Sequence, residues 1–165
     1  MEYLSKKYGS EMVERFNKPN NPLSIAGSKL GITFNTNRRV IPSMRCHRLM
    51  EFVNSTYPDK STDVMMGMFR RYFEEAIDVS RPAVLINIAA DCGIPEAEVT
   101  PIVESDEKYR NEVLAEYSAA RDRFRASGVP FFIVEPLNSN RRPTAFSGAQ
   151  PADLIAEVLE EAIKP

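Results

Sequence analysis

Cysteine and histidine are scarce in this chain, and their scarcity removes the easiest routes to chemistry. The 165 residues include 2 cysteines and 1 histidine. Two cysteines in a chain of this length do not build a disulfide framework, and one histidine cannot supply a His-rich metal site. Long apolar runs are missing too, since none approaches the ~20 residues needed to cross a bilayer. The N-terminus, Met1-Glu2-Tyr3-Leu4-Ser5-Lys6-Lys7, has no apolar core of a secretory signal, so the chain as it stands is expected to be soluble, unexported and free of membrane. An excess of one charge is absent as well: 21 Lys and Arg against 23 Asp and Glu leave no field to draw the chain onto nucleic acid. What is present, 43% apolar and 27% charged residues, suits one compact domain with a real core.

Helical periodicity dominates. Between Pro42 and Val53, Cys46, Leu49, Met50 and Val53 recur at helical spacing, and between Thr62 and Phe73 the residues Met65, Met68, Phe69, Tyr72 and Phe73 make a wide apolar stripe. A further helix has marked ends: Ser80 as cap, Pro82 in the first turn, a stripe of Val84, Leu85, Ile88, Ala89 and Cys92, and Gly93 as terminator. Another runs from Pro95 to about Glu104. The longest is expected from Asp106 to Ala126, with Val113, Tyr117, Ala120 and Phe124 on one face and Gly128 as its stop.

After Gly128 the period changes. Pro130-Phe131-Phe132-Ile133-Val134 is a continuous apolar run, as expected for a strand covered on both faces. A polar connection from Pro136 to Arg142, a second strand from Pro143 to Phe146 and a closing helix from Pro151 to Ile163 follow, the helix with Leu154, Ile155, Val158, Leu159 and Ala162 turned inward. The first forty residues are broken by glycine, proline and asparagine into short helices or turns, with an extended stretch at Ile32 to Phe34. A hairpin alone is marginal in water, and a strand apolar on both faces wants neighbours on both edges. The fold class is therefore α/β, mostly helical, with a sheet incomplete within one chain. Either further strands belong to a longer protein, or two copies form a homodimer that completes the sheet.

Several ordered motifs carry a family resemblance: Tyr3-Leu4-Ser5-Lys6-Lys7-Tyr8-Gly9, Met44-Arg45-Cys46-His47-Arg48-Leu49, Phe69-Arg70-Arg71-Tyr72-Phe73 leading to Asp78-Val79-Ser80, Ser127-Gly128-Val129-Pro130-Phe131-Phe132, and Phe146-Ser147-Gly148-Ala149-Gln150-Pro151. Together they resemble the FrnE-like branch of the DsbA family, thioredoxin-fold thiol-disulfide oxidoreductases split by a helical insertion. The resemblance implies a linking segment of the thioredoxin-like half at 1–41, the insertion at 42–105, and the C-terminal half of the thioredoxin fold at 106–165. It also implies a cytoplasmic protein. In that family a first strand and a Cys-x-x-Cys precede the position of Met1, and this chain has neither.

The chemistry is narrowed accordingly. A Cys-x-x-Cys works because the helix N-terminus and the neighbouring thiol lower the pKa of the first cysteine. Cys46 and Cys92 lack that spacing and read as inert core thiols on apolar helix faces, with a tertiary disulfide between them the unusual alternative. No catalytic residue and no metal ligand is assigned. The resemblance implies a cis bond at Val129-Pro130, with the Val129 backbone facing substrate; the residues alone give a proline opening a strand in trans. His47 is placed over the same cleft by the resemblance and otherwise reads as a surface residue. Ser147 and Gly148 sit at a strand-to-helix junction where backbone N–H groups can hold an anion, or form a plain cap. Arg38, Arg39, Arg45 and Arg48 can attract an acidic peptide or a glutathione carboxylate, although solvated surface charge is the commoner role. Met65, Met66 and Met68 read as core filler.

The first expectation is thus a FrnE-type oxidoreductase family protein that is redox-inactive as it stands, with a thiol or disulfide peptide as substrate. It carries no cofactor, and glutathione is its small-molecule substrate or ligand. A noncatalytic peptide-binding or dimerising module is the alternative. A glutathione-dependent transferase or isomerase of the kappa-like class is the third.

Overall fold

The computed structural model describes residues 5–6, 9–18, 20–126, 128–137 and 140–164. Tyr3, Leu4, Lys7, Tyr8 and Ser127, parts of the sequence motifs above, lie outside the described residues. Packing divides the chain into two compact units, Met1–Val113 and Leu114–Pro165.

The first unit is helical. Helix α1 spans Ser10–Asn17 and α2 spans Pro22–Lys29, the latter capped by Asn21, whose side chain accepts from the Ser24 N–H at 2.9 Å. No strand forms at Ile32 to Phe34. Phe34 instead stacks edge-on against Phe73, and its ring lies so close to Gly27 that a Cβ there would approach it to 2.6 Å.

Helices α3 (Met44–Thr56), α4 (Ser61–Phe69), α5 (Pro82–Asp91) and α6 (Glu96–Val103) pack on one another and enclose the core. Every fully buried apolar side chain among the described residues lies between Leu49 and Val103. At about 25 cal/mol per Å² of apolar surface removed from water, that cluster is the principal source of stability. A short 3₁₀ turn, Pro58–Lys60, leads into α4, and a single π turn, Arg70–Glu74, ends it. Of the expected methionine filler, Met68 is buried and Met65 packs at the core edge, but Met66 faces water because it falls on the outer side of α4.

Helix α5 shows why local chemistry sets element ends. Pro82 occupies its first turn, where the missing N–H costs nothing. Gly93 takes φ 75° just beyond Cys92, and the Gly93 and Ile94 N–H groups return to the carbonyls of Ala90 and Ala89 at 2.8 and 3.0 Å, a Schellman closure. Ser80 does not cap this helix. The cap position is Arg81, and the Ser80 hydroxyl donates instead to Asp78 Oδ1 at 2.5 Å. That carboxylate also accepts the Ser80 N–H, and the two bonds hold the Asp78 pKa below its ordinary value.

Helix α7 spans Arg110–Asp122, shorter at both ends than periodicity suggests. Tyr109 at φ 60° precedes it and Arg125 at φ 52° follows it, so the chain turns before Gly128 is reached. In the second unit, β1 (Phe131–Val134) and β2 (Thr144–Ser147) form an antiparallel pair with Phe132 opposite Phe146 and Val134 opposite Thr144. The Phe132 and Phe146 rings stack at 5.1 Å. Helix α8 (Ala152–Ala162) packs on β1, and the Leu137 N–H donates to the Ala162 carbonyl at 3.1 Å.

Two expectations for this unit are corrected. Strand β1 is not covered on both faces: it pairs with β2 alone among the described residues, and Phe132 stays 41% exposed. Helix α8 does not turn its whole stripe inward either, since Leu154 and Leu159 face water. Two short strands offer too little area to cover a five-residue stripe.

Candidate functional site

The mouth of the hairpin gathers four of the residues singled out in the sequence. The ladder ends at Phe131 opposite Ser147 and is extended one step by the Gly148 N–H, which donates to the Pro130 carbonyl at 2.9 Å. Gly148 adopts φ 79°, a left-handed conformation that glycine takes without a Cβ penalty, and so turns the chain toward α8. The Gln150 side chain donates to the Ser147 carbonyl at 2.8 Å. The turn is therefore tied at both ends by its own polar groups, and Gln150 is a contributor that the sequence motif contains but that went unassigned.

Val129 differs from these neighbours. It is 95% exposed, and neither its backbone N–H nor its carbonyl has a hydrogen-bond partner among the described residues. The Val129–Pro130 peptide bond is cis. An unpaired donor and acceptor in line with β1 are what an extended peptide needs to add alongside a strand. The Ser147 side chain is exposed and has no hydrogen-bond partner among the described residues.

His47 belongs to the other unit, exposed on α3 between Cys46 and Arg48. The arginines beside it are not solvated surface charge. Arg48 is 1% exposed and donates to the carbonyls of Ser105 and Lys108, while Arg45 donates to the carbonyls of Val103 at 2.7 Å and Ser80 at 2.6 Å. Asp106 lies 3.8 Å from both guanidinium groups. Burial draws the Arg48 pKa down and the Asp106 charge pushes it back up. The signal was available: Arg45, Arg48, Leu49 and Phe52 share the i, i+3, i+4, i+7 spacing of one helical face.

Both cysteines are free thiols at the edge of the helical core. The Cys46 Sγ donates to the Val79 carbonyl at 3.4 Å, and burial pushes its pKa from 9.0 up to about 11. Burial, then Asp63, raises Cys92. Because the folded Cys46 value lies above the unfolded one, folding favours the protonated thiol. That contribution is full below pH 9 and disappears as pH rises through about 11. At pH 7 the thiolate population at Cys46 is about a hundredfold below that of a free cysteine. Alkylation of native protein by iodoacetamide is expected to be slower at Cys46 by about that factor than after urea unfolding, and peptide mapping of the modified chain reads the difference. No group of three or more metal-ligating side chains occurs among the described residues, and no described helix is long and apolar enough to cross a membrane.

A family model for the DSBA-like thioredoxin domain matches residues 10–160. The chain belongs to that family. It shares its thioredoxin-like DsbA fold with a solved structure described as "Crystal structure of a putative protein disulfide isomerase from Nitrosomonas europaea", at a TM-score of 0.70 and 24% identity, over 83% of this chain and 68% of that one. At that identity the likeness is one of fold. Among curated protein sequences nothing matches. The FrnE-like branch is a finer assignment than these matches make.

Proposed function

We propose that this chain is a FrnE-type member of the DsbA-like family that binds extended thiol or disulfide peptides along Val129 and is redox-inactive as it stands. The observation that carries this reading is the exposed Val129 before β1, whose backbone has no hydrogen-bond partner among the described residues. The 165 residues contain no Cys-x-x-Cys, and the two thiols present are held protonated by burial, so neither offers the thiolate that disulfide exchange requires. The ordered sequence motifs support the FrnE-like branch, and two free thiols rather than a disulfide suit a reducing, cytoplasmic setting. Glutathione fits as a small ligand for the same backbone edge, with no resident cofactor.

Two measurements test this. Incubation with a disulfide-bonded peptide and glutathione is expected to give no turnover beyond that of a Cys46→Ser, Cys92→Ser variant; turnover well above it overturns the inactivity. In an NMR titration with a cysteine-containing extended peptide, the amides of 128–132 and 146–148 are expected to shift. Val129→Pro, which removes the N–H donor, is expected to weaken binding about tenfold. Equal affinity in that variant removes the role given to Val129.

A second reading rests on a separate observation: the outer edge of β1 has no strand partner among the described residues while Phe132 remains exposed. A second copy could pair along that edge and complete a sheet. Light scattering across a concentration series decides, because a monomer down to low micromolar concentrations counts against such a dimer.

A further inference from the structure

The core of the helical unit is mostly aliphatic, with Phe52 its one buried aromatic side chain among the described residues, while a further set of aromatic rings stays partly open to water. Phe34, Phe69, Tyr72 and Phe73 form one connected cluster around the π turn, with Phe73 at 6.0, 5.7 and 4.8 Å from the rings of Phe34, Phe69 and Tyr72. Phe69 is 47% exposed, and the other three rings are only half-buried. Leaving so much aromatic surface in contact with water forgoes burial energy that the same rings would gain in a core.

The cluster is also held rigidly by hydrogen bonds that span long stretches of chain. The Asn35 N–H donates to the Phe73 carbonyl at 2.8 Å, the Tyr72 hydroxyl to the Arg39 carbonyl at 3.0 Å, and the Thr33 N–H to Glu74 Oε2 at 3.2 Å. Together they strap residues 33–39 onto a π turn, a form that is rare and concentrated at functional sites. Arg38 completes the surface, its guanidinium 5.4 Å from the Phe73 centroid and 5.9 Å from that of Phe34. One of its nitrogens donates to the Asn35 carbonyl at 3.1 Å, and no carboxylate among the described residues pairs with it or with Arg39.

We propose that this aromatic ledge docks a short, extended acidic peptide segment, its apolar side chain packing on Phe69 and Phe73 and its carboxylates pairing with Arg38 and Arg39. Preorganised aromatic residues and arginine are the side chains that carry most binding energy at protein interfaces. The Arg38 guanidinium, set over the Phe34 and Phe73 rings with no carboxylate partner among the described residues, favours a carboxylate, which Arg grips with two parallel bonds. A nucleic acid fits less well. The chain as a whole carries a net charge of −2, and Glu74 sits within the ledge, so a phosphate backbone would meet repulsion beyond the two arginines. The proposal requires neither the role given to Val129 nor any thiol chemistry.

The probe is a fluorescein-labelled peptide alternating aspartate with phenylalanine, titrated with the full chain and read by anisotropy. Saturable binding that weakens with added salt is expected, with Phe69→Ser and Arg39→Glu each weakening it about tenfold. A peptide with lysine in place of aspartate is expected not to bind. In the unmutated protein, amide shifts on adding the peptide are expected to concentrate at 33–39 and 69–75, which keeps the test valid if a variant fails to fold. The proposal is overturned by absence of saturation, by equal binding of the lysine peptide, by shifts centred elsewhere, or by tighter binding of a single-stranded thymidine oligonucleotide.

Discussion

Replacing Arg48 by alanine is expected to lower the unfolding free energy by about 3 kcal/mol, read from the urea midpoint of the helical circular dichroism signal. The side chain is almost wholly buried, and its guanidinium is the donor for the Ser105 and Lys108 carbonyls on the segment that leads from α6 to α7. Removing it leaves those acceptors without a charged partner and opens a void beside Leu49. Arg48→Lys is expected to recover only part of the loss: one guanidinium nitrogen, Nη1, serves both carbonyls and an ammonium group can also donate twice, but its compact, strongly hydrated charge is harder to bury. Arg48→Met refines the interpretation. If methionine restores stability, packing of the long stem outweighs the hydrogen bonds; if it behaves like alanine, the carbonyl contacts dominate. The nearby Asp106 is mostly exposed, so its ion pairs add little and are screened by salt.

A comparable loss is expected for Leu85→Ala, about 3 kcal/mol, while Leu159→Ala is expected to cost less than about 1 kcal/mol. Leu85 is completely enclosed on α5, so truncation removes transfer energy and leaves a cavity among close-packed neighbours. Leu159, 50% exposed on α8, has less to lose because water already reaches its side chain. Thermal or urea unfolding of the two variants side by side measures the contrast. Equal destabilisation would show that α8 is covered in solution by something outside the single chain, such as a second copy.

The helices between 44 and 103 were legible because their signals are local. Pro82 and Gly93 mark the two ends of α5, and the apolar spacing around Leu49 and Leu85 repeats at the helical period. The hairpin was legible from the switch of period at Pro130. What failed depended on distant residues. Ile32 to Phe34 has the composition of a strand, but Phe34 finds its partner in Phe73 and the backbone finds no ladder. Arg48 was read by the average behaviour of arginine, which is exposed, although its position on the apolar face pointed inward. Ser80 has the chemistry of a helix cap, but Arg81 holds the cap position before Pro82, and the Ser80 hydroxyl donates to Asp78 instead. Within the candidate site, the residue types were visible in the sequence. That the Val129 backbone has no hydrogen-bond partner among the described residues was not, because hydrogen-bond satisfaction belongs to the folded chain.

The confinement of the sealed core to Leu49–Val103 has a consequence for how this sequence can change over generations. Substitutions inside that stretch are judged first by whether the protein survives folding, so variation there is restricted to side chains of similar volume. At the hairpin mouth a changed side chain leaves that core intact. Val129 and its neighbours can therefore change more freely than the helical unit, whose core must keep its volume.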